Sequence, residues 1–257
     1  MKTPITIIKV GGKIVEERES LLALLDRFAA IEGNKVLIHG GGRSATKIAE
    51  KLGIESRMID GRRVTDEATL QVVTMVYGGL VNKNIVAGLQ ARNTNALGLT
   101  GADCNIVHAH KRPVKDIDWG FVGDVDGADG KMLAALIEQG IVPVVAPLTH
   151  DGNGNMLNIN ADTMAAETAK ALAPYYDVTL TYCFEFPGVM RDPEDAASVI
   201  PSITPDTYSN LKEEGVVSGG MIPKLDNAFN ALNNGVAKVI ITRADAIDGK
   251  QGTHITL

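Results

Sequence analysis

Five short runs rich in β-branched residues alternate along the chain with longer segments of helical periodicity. The runs span residues 5–10, 35–39, 141–145, 178–181 and 238–242. Most of them are apolar on both faces, which is typical of strands buried inside a parallel sheet. The helical segments span residues 43–51, 67–92, 131–138, 161–172 and 224–233. The alternation predicts an α/β fold, with a largely parallel central sheet covered by helices on both sides.

A polar excursion interrupts this pattern late in the chain. Residues 191–195 are charged and include a proline, and Pro201 and Pro205 follow them, which predicts a surface loop. The length of 257 residues allows one large domain or two small ones. We predict two lobes, residues 1–175 and residues 176–257, with no flexible linker between them.

Composition and charge argue against several classes of function. The net charge of −6 supplies no basic field for nucleic acid, and 4% aromatic residues are too few for a stacking platform. No segment approaches 18 uninterrupted apolar residues, and the first residues carry no signal pattern. We therefore expect a cytoplasmic protein without nucleic acid or membrane partners. Cys104 and Cys183 match no metal or redox spacing and are expected to be buried thiols.

Two of the predicted strands end in glycine turns. Gly11 and Gly12 follow a strand that carries Lys9, and three successive glycines follow His39. Glycines at the end of a parallel strand let backbone N–H groups approach an anion, and the start of the next helix favours negative charge. Lys9 would then lie beside a bound phosphate, although a tight turn with a solvated lysine explains the first motif equally well.

The second glycine turn also fits a dinucleotide-binding pattern. Residues 40–45 match G-x-G-x-x-A, and Asp60 lies twenty positions after Gly40. A Rossmann oxidoreductase that uses NAD(P) is therefore an alternative. That interpretation leaves Lys9 and the motifs around residues 158–162 and 219–224 without a role.

Three further motifs carry polar groups at helix starts. Asn160 is suited to cap the helix that contains Asp162, while Asn158 lies on the same strand face and could bind a carboxylate with Asn160. The glycine-rich run at 151–156 just upstream fits a hairpin turn and fails the calcium-loop pattern. Arg62 and Arg63 precede Thr65 and Asp66, either of which could cap the long helix. Gly219 and Gly220 lead into a helix start with Lys224.

In this order, five motifs of the chain resemble the amino acid kinase family. They are Lys9-Val10-Gly11-Gly12, His39-Gly40-Gly41-Gly42, Gly61-Arg62-Arg63-Val64-Thr65, Asn158-Ile159-Asn160-Ala161-Asp162 and Gly219-Gly220-Met221-Ile222-Pro223-Lys224. The combination is specific where each motif alone is not. The resemblance implies an open αβα sandwich, in which residues 1–175 bind an acylated glutamate and form a dimer contact, and residues 176–257 bind ATP.

The resemblance also implies a reaction: ATP phosphorylates the γ-carboxylate of an N-acyl-L-glutamate to an acyl phosphate, as a step of arginine biosynthesis. Lys9 and Lys224 would offset charge on the transferred phosphoryl group, and Asp162 would orient both lysines. Mg²⁺ would arrive on the nucleotide phosphates, without a dedicated protein cage. The other implied roles are backbone donation from Gly11, Gly12, Gly41 and Gly42, and binding of the α-carboxylate end by Arg63, Asn158 and Asn160.

The chain departs from the family pattern at three places. Arg62 replaces an apolar residue beside the acyl pocket, so the acyl group is either acetyl, with Arg62 turned to solvent, or succinyl, with Arg62 binding its terminal carboxylate. Residues 181–189 are longer than the usual segment and lack its aspartate, for which Glu185 is a candidate substitute. No helical extension precedes Ile5, which predicts a homodimer that arginine does not inhibit.

Two alternatives remain within this fold. An aspartate, glutamate or carbamate kinase is the nearer one, although those enzymes resemble the motifs at residues 61–65 and 158–162 less closely. A nucleotide-binding regulator without activity is the other, because residues 181–189 are altered.

Overall fold

The computed structural model describes residues 2–59 and 61–257, and it builds an α/β fold around a large, mostly parallel sheet. In chain order the strands are β1 (Thr3–Val10), β2 (Asn34–His39), β3 (Met58–Ile59), β4 (Arg62–Arg63), β5 (Ala96–Leu99), β6 (Val107–Lys111), β7 (Gly123–Ala128), β8 (Val142–Val145), β9 (Leu148–His150), β10 (Met156–Asn158), β11 (Tyr176–Phe184), β12 (Ser202–Ile203), β13 (Lys238–Arg243) and β14 (Thr253–Ile255). The large sheet has the order β12-β14-β13-β11-β1-β2-β8-β5.

The α-helices lie on both faces of this sheet. They are α1 (Gly12–Glu16), α2 (Arg18–Ala29), α3 (Gly42–Lys51), α4 (Glu67–Val73), α5 (Asn82–Gln90), α6 (Gly130–Glu138), α7 (Ala161–Leu172), α8 (Pro205–Glu213) and α9 (Met221–Asn233). A π-helical stretch, Thr74–Val81, joins α4 to α5, and short 3₁₀ turns span Asp103–Asn105 and Ala196–Ser198.

The core has two parts because the central strands are apolar on both faces. Neighbouring strand residues point to opposite faces of a sheet, and Ile7 and Ile8 accordingly belong to separate hydrophobic clusters. One cluster packs against α7 and α9. The other packs against α2, α3 and the continuous helix Glu67–Gln90, which comprises α4, the π-helical stretch and α5 and is called the long helix below. The predicted α/β class with a largely parallel sheet is confirmed.

Parallel strand pairing brings Lys9 and the glycine turns together at the carboxyl ends of the strands, which form one edge of the sheet. Strands β2, β1, β11 and β13 run in parallel, so that Lys9 lies opposite Ile38 on one side and Tyr182 on the other. The turns after β1 and β2 therefore lie next to each other, beside the end of β11. This edge is where an α/β sheet binds ligands.

Sequence patterns missed α2, α8 and a second sheet. That sheet has the order β10-β9-β6-β7; its strands are short, and β6 alternates with polar residues, so that they lack the apolar runs that mark the central strands. The hairpin predicted at 151–156 is confirmed, since β9 and β10 pair in antiparallel fashion and Gly152 and Gly154 have positive φ. The loop predicted at 191–195 is exposed, as expected.

The long helix ends at Gln90 and contains the π-helical stretch that the pattern did not indicate. Its 24 residues are long and apolar enough to cross a membrane by length and composition, but 44% of its most apolar window is buried inside the protein. Core helices of soluble proteins pass the same test, so this helix is weak support for a membrane span.

The two cysteines differ in exposure. Cys183 is buried, but Cys104 is exposed, which corrects the prediction that both thiols are buried; Cys104 lies in a 3₁₀ turn with φ of 53° rather than in a strand or helix of the core. Asp60, part of the dinucleotide-binding alternative, lies outside the described residues. The division into two lobes at residue 175 stays a prediction. Strand β11, which begins at Tyr176, pairs along β1, so the two predicted lobes share one sheet.

Candidate active site

Asp162 holds two lysines that are far apart in sequence. Its Oδ1 lies 2.6 Å from Nζ of Lys9, near the end of β1, and its Oδ2 accepts a 3.0 Å hydrogen bond from Nζ of Lys224, in the first turn of α9. Both lysine side chains are 10% exposed and the aspartate side chain 17%. Two ammonium groups thus meet at one carboxylate, at the ligand-binding edge of the sheet.

The charges in this cluster shift the pKa of Asp162 and the pKa of Lys224. Burial alone would raise the pKa of Asp162, but the charges and hydrogen bonds of Lys9 and Lys224 outweigh it and hold this pKa well below the usual range. The pKa of Lys224 is lowered, first by burial and then by the charge of Lys9, although Asp162 opposes both effects. Asp162 is therefore ionised at neutral pH.

Two aromatic rings support Lys224. Its Nζ lies 5.2 Å from the ring centroid of Tyr182 and 5.7 Å from that of Phe184, both distances within cation–π range. Tyr182 is fully buried, and its hydroxyl donates to the backbone carbonyl of Asp162 at 3.3 Å. Tyr182 thereby contacts both partners of one ion pair.

The two glycine turns face each other and leave backbone donors open. A Cβ on Gly12 would lie 3.7 Å from the backbone N of Gly42 and 3.8 Å from that of Gly41. Within residues 2–59 and 61–257, the N–H groups of these three glycines have no hydrogen-bond acceptor. Gly11 differs, because its N–H donates to the carbonyl of Cys183 at 3.0 Å. The N–H of Gly11, which was expected to donate to a phosphate, thus already has an acceptor within the protein, and its phosphate-binding role stays a prediction.

A buried histidine fixes the second glycine turn. Burial lowers the pKa of His39 to about 4, so that the ring is neutral at pH 7. Its Nδ1 lies 2.7 Å from the carbonyl oxygen of Gly40, and its Nε2 lies 3.1 Å from Nδ2 of Asn82. A neutral ring satisfies both contacts when Nδ1–H donates and Nε2 accepts. His39 therefore has a structural role in this turn.

A cavity of about 210 Å³ opens on the other side of the second glycine turn. The residues predicted to hold an acylglutamate all line it: Gly41, Gly42, Arg62, Arg63, Asn158 and Asn160. Lys9, Lys224 and Asp162 do not line it, but Ala161 and Thr163, on either side of Asp162, do. The predicted binding residues and the charge cluster are thus close neighbours.

Existing contacts fix the polar groups of this cavity. Arg63 donates to Oγ of Ser56, to the carbonyl of Gly42 and to Oγ1 of Thr46; its buried Nε has no partner among the described residues. Asn158 donates to Thr65 at 3.0 Å. The Oδ1 of Asn160 accepts from the backbone N–H groups of residues 162 and 163, which confirms the predicted helix cap.

The far wall of the cavity contains residues that sequence patterns did not single out. Tyr77 comes from the π-helical stretch, and Arg112 and Trp119 come from the segment after β6. The Arg112 guanidinium contacts Asp124 through Nε at 3.0 Å and Nη2 at 2.7 Å, and it lies 5.6 Å from the Trp119 ring centroid. No glycine turn or helix-start pattern marks these residues, so no local signal would have found them.

A second cavity, of about 430 Å³, lies between the glycine turns and the end of β11. It is lined by Gly11, Gly12, Lys13, Ile14, Gly40, Gly41, Gly42, Arg43, Phe184 and Glu185. The glycines of the second turn line both cavities, so this turn forms the wall between them. Residues 2–59 and 61–257 contain no group of three metal-ligating side chains.

Comparison with known proteins gives consistent similarities. The profile of the amino acid kinase family matches residues 4–243. Acetylglutamate kinase from Bacteroides thetaiotaomicron is 65% identical over 255 residues, which are 99% of this chain and 99% of that protein. The one from Parabacteroides distasonis is 62% identical over 251 residues, 98% of each chain. The crystal structure of smu.665 from Streptococcus mutans aligns with a TM-score of 0.82, at 28% identity and 98% coverage of each chain.

Proposed function

Because this chain belongs to the amino acid kinase family, we propose that it uses ATP to phosphorylate the γ-carboxylate of an N-acyl-L-glutamate. The product is an acyl phosphate, and the reaction is a step of arginine biosynthesis. Relatives that are 60–65% identical over nearly the whole chain carry the name acetylglutamate kinase, which supports N-acetyl-L-glutamate as the acceptor.

One observation carries the proposal: a single carboxylate, Asp162, holds the ammonium groups of Lys9 and Lys224 beside open backbone donors. Phosphoryl transfer requires positioning and charge stabilisation more than covalent participation by the protein. Two ammonium groups at one point, next to N–H groups that have no other acceptor, supply that stabilisation in a site largely shielded from water.

The step itself needs no general base. The γ-carboxylate of the acceptor is ionised at neutral pH, so one of its oxygens attacks the γ-phosphorus directly. A carboxyl O–P bond forms, and the bond from the γ-phosphorus to the β,γ-bridging oxygen breaks. The electron pair leaves with ADP. Lys9 and Lys224 donate to the oxygens that gain charge, and Asp162 stays ionised and keeps both lysines oriented.

The two cavities separate the two substrates. The acceptor occupies the cavity lined by Arg63, Asn158 and Asn160, which bind its α-carboxylate end, and the nucleotide phosphates occupy the cavity beside Lys13. The second glycine turn lies between them, so its N–H groups face the point of transfer. Gly12, Gly41 and Gly42 are the backbone donors in this proposal, while Gly11 supports the turn.

The acyl group lies toward the far wall, near Arg62 and Arg112. Asp124 already neutralises Arg112, whereas no residue in the described part of the chain forms an ion pair with Arg62. The cationic side chain of Arg62 gives no benefit to an acetyl methyl group but would bind a second carboxylate. N-succinyl-L-glutamate is therefore a candidate acceptor alongside N-acetyl-L-glutamate.

Magnesium enters this reaction as part of the nucleotide substrate. Both oxygens of Asp162 face lysine ammonium groups, so this carboxylate is poorly placed to bind a cation directly. Mg²⁺ that is bound through phosphate oxygens and water needs no protein cage, and the lysines act on the phosphoryl group itself.

We also propose a homodimer. Strand β5 is an edge of the large sheet and exposes Leu97, and the long helix that packs beside it exposes Met75 and Leu80. A second copy would cover this apolar surface. Light scattering should give twice the 27.2 kDa of one chain, while a monomer, or a hexamer that arginine inhibits, would contradict the proposal. An ATP-consuming enzyme with two free thiols fits the cytoplasm.

The deciding experiment measures ADP release with N-acetyl-, N-succinyl- and free L-glutamate and with carbamate. We expect release only with an N-acylated glutamate. Release with free glutamate or carbamate would favour another amino acid kinase, and nucleotide binding without release would favour a regulator. A parallel titration with NADH, followed by fluorescence, tests the oxidoreductase alternative; we expect no binding.

A further inference from the structure

Glu185 connects the two glycine turns through their charged side chains. Its Oε2 lies 3.4 Å from Nζ of Lys13, and its Oε1 lies 3.4 Å from Nη2 of Arg43. Lys13 directly follows Gly12, and Arg43 directly follows Gly42. Each cation thus emerges from the same turn as an open backbone donor, and the single carboxylate of Glu185 lies between them.

These ion pairs are weak enough for Lys13 and Arg43 to exchange Glu185 for another anion. Both distances exceed those of a strong charged hydrogen bond, and the side chains are 42%, 57% and 36% exposed for Lys13, Arg43 and Glu185. Ion pairs this exposed add little stability. One carboxylate also satisfies two cations only partly, because the three side chains together carry a net charge of +1.

All three side chains line the cavity of about 430 Å³ that also contains the open glycine N–H groups. The nucleotide phosphates in our proposed function enter this cavity. A triphosphate carries several negative charges and offers more acceptor oxygens than one carboxylate, and arginine and lysine both bind phosphate well.

We propose that Glu185 occupies the place of the nucleotide phosphates, and that Lys13 and Arg43 leave it to bind phosphate when the nucleotide enters. Lys13 and Arg43 are then two further phosphate-binding residues, outside the Lys9–Asp162–Lys224 cluster. Glu185 is an internal competitor that weakens nucleotide binding. The inference deepens the proposed function and depends on it for the identity of the ligand.

The test is calorimetric binding of adenosine, ADP and the non-hydrolysable β,γ-imido analogue of ATP. In Glu185→Gln we expect the analogue and ADP to bind about two- to fivefold more tightly, the range expected when a weak ion pair is removed, and adenosine binding to stay unchanged. Lys13→Met and Arg43→Gln should each weaken binding of the phosphorylated ligands. Glu32→Gln is the matched control, because Glu32 is exposed and lies just before the amino-terminal end of β2, away from the glycine turns. We expect no change in the affinity of any of the three ligands.

A second measurement separates competition from simple charge repulsion. If Glu185 acts by holding Lys13 and Arg43, then Glu185→Gln has almost no effect in the Lys13→Met, Arg43→Gln background. A full effect in that background would overturn the proposal, and so would unchanged binding in Glu185→Gln or an equal effect on adenosine. Failure of the wild-type protein to bind ADP and the ATP analogue would instead contradict the proposed kinase function.

Discussion

The ring of Tyr77 packs directly against the backbone of Gly41. A Cβ at position 41 would lie 2.7 Å from Cδ1 of Tyr77 and 3.0 Å from Cε1, whereas a Cβ at position 42 would come no closer than 3.9 Å to any neighbour. Tyr77 belongs to the π-helical stretch, so the unusual helix and the glycine turn contact each other where both cavities share a wall.

This contact predicts unequal effects of two alanine substitutions. Gly41→Ala must displace the turn or the ring, and we expect it to lower the free energy of unfolding by about 1–3 kcal/mol, the usual cost of overpacking, and to reduce activity. Gly42→Ala should leave stability nearly unchanged. Chemical denaturation measures both. Tyr77→Leu combined with Gly41→Ala should cost less than the sum of the single changes; strict additivity would show that the ring is not the obstacle.

Removing a charge from the cluster should act on turnover. We expect Lys9→Met, Lys224→Met and Asp162→Asn each to lower kcat by about 10² to 10³, as the loss of a positioned electrostatic group does, with smaller changes in KM for ATP. The matched control is Lys35→Met. Lys35 is as buried as Lys9, since each residue is 8% exposed. Its Nζ, however, donates hydrogen bonds to the carbonyls of Ala29 and Ile31, near the amino-terminal end of β2.

Lys35→Met should therefore lower stability and keep kcat. Steady-state kinetics and thermal unfolding of the four variants separate the two effects. A Lys9 or Lys224 variant that keeps wild-type kcat would remove the basis of the proposed transfer step.

The pH profile of kcat should reveal Lys224. Activity needs its ammonium form, so kcat falls as pH rises through the pKa of Lys224, which burial lowers from the ordinary 10.5. Asp162 raises this pKa and Lys9 lowers it. The alkaline limb should therefore move to lower pH in Asp162→Asn and to higher pH in Lys9→Met. Shifts in the same direction, or none, would show that Lys224 does not control that limb.

Tyr182 should influence turnover through its ring more than through its hydroxyl. Tyr182→Phe keeps the ring near Lys224 and loses one long hydrogen bond, so we expect kcat within about fivefold of wild type. Tyr182→Leu removes the ring, and we expect a loss of about tenfold or more without a change in KM for the acceptor. Tyr176→Leu, at the opposite end of β11, is the control for damage to the strand. Equal kcat in both leucine variants would contradict a role for the Tyr182 ring.

Substitution of Arg62 tests which acyl group the acceptor carries. If the acceptor is N-succinyl-L-glutamate, Arg62→Leu should lower kcat/KM for it by about tenfold or more, the effect of losing a charged hydrogen bond, and leave N-acetyl-L-glutamate unaffected. The ratio of the two kcat/KM values, measured side by side, is the readout. An unchanged ratio would mean that Arg62 faces solvent and that the succinyl hypothesis is wrong.

The amino-acid sequence alone determined the fold class, the five central strands, the glycine turns and the cap at Asn160. These features depend on local periodicity and on residue types with strong backbone preferences, which a stretch of chain expresses by itself. The ordered set of motifs also determined the family. The strands β6, β9 and β10 escaped because they are short and carry polar residues, so that none of them forms an apolar run.

Only the tertiary structure decided which groups meet. It used the N–H of Gly11 within the sheet, set Glu185 between Lys13 and Arg43, and placed Trp119 in the cavity that Arg63 and Asn158 line. Such contacts join residues that are far apart in the chain, as Lys13 and Glu185 are. They depend on strand register and on helix packing across the sheet, which no local stretch of sequence encodes.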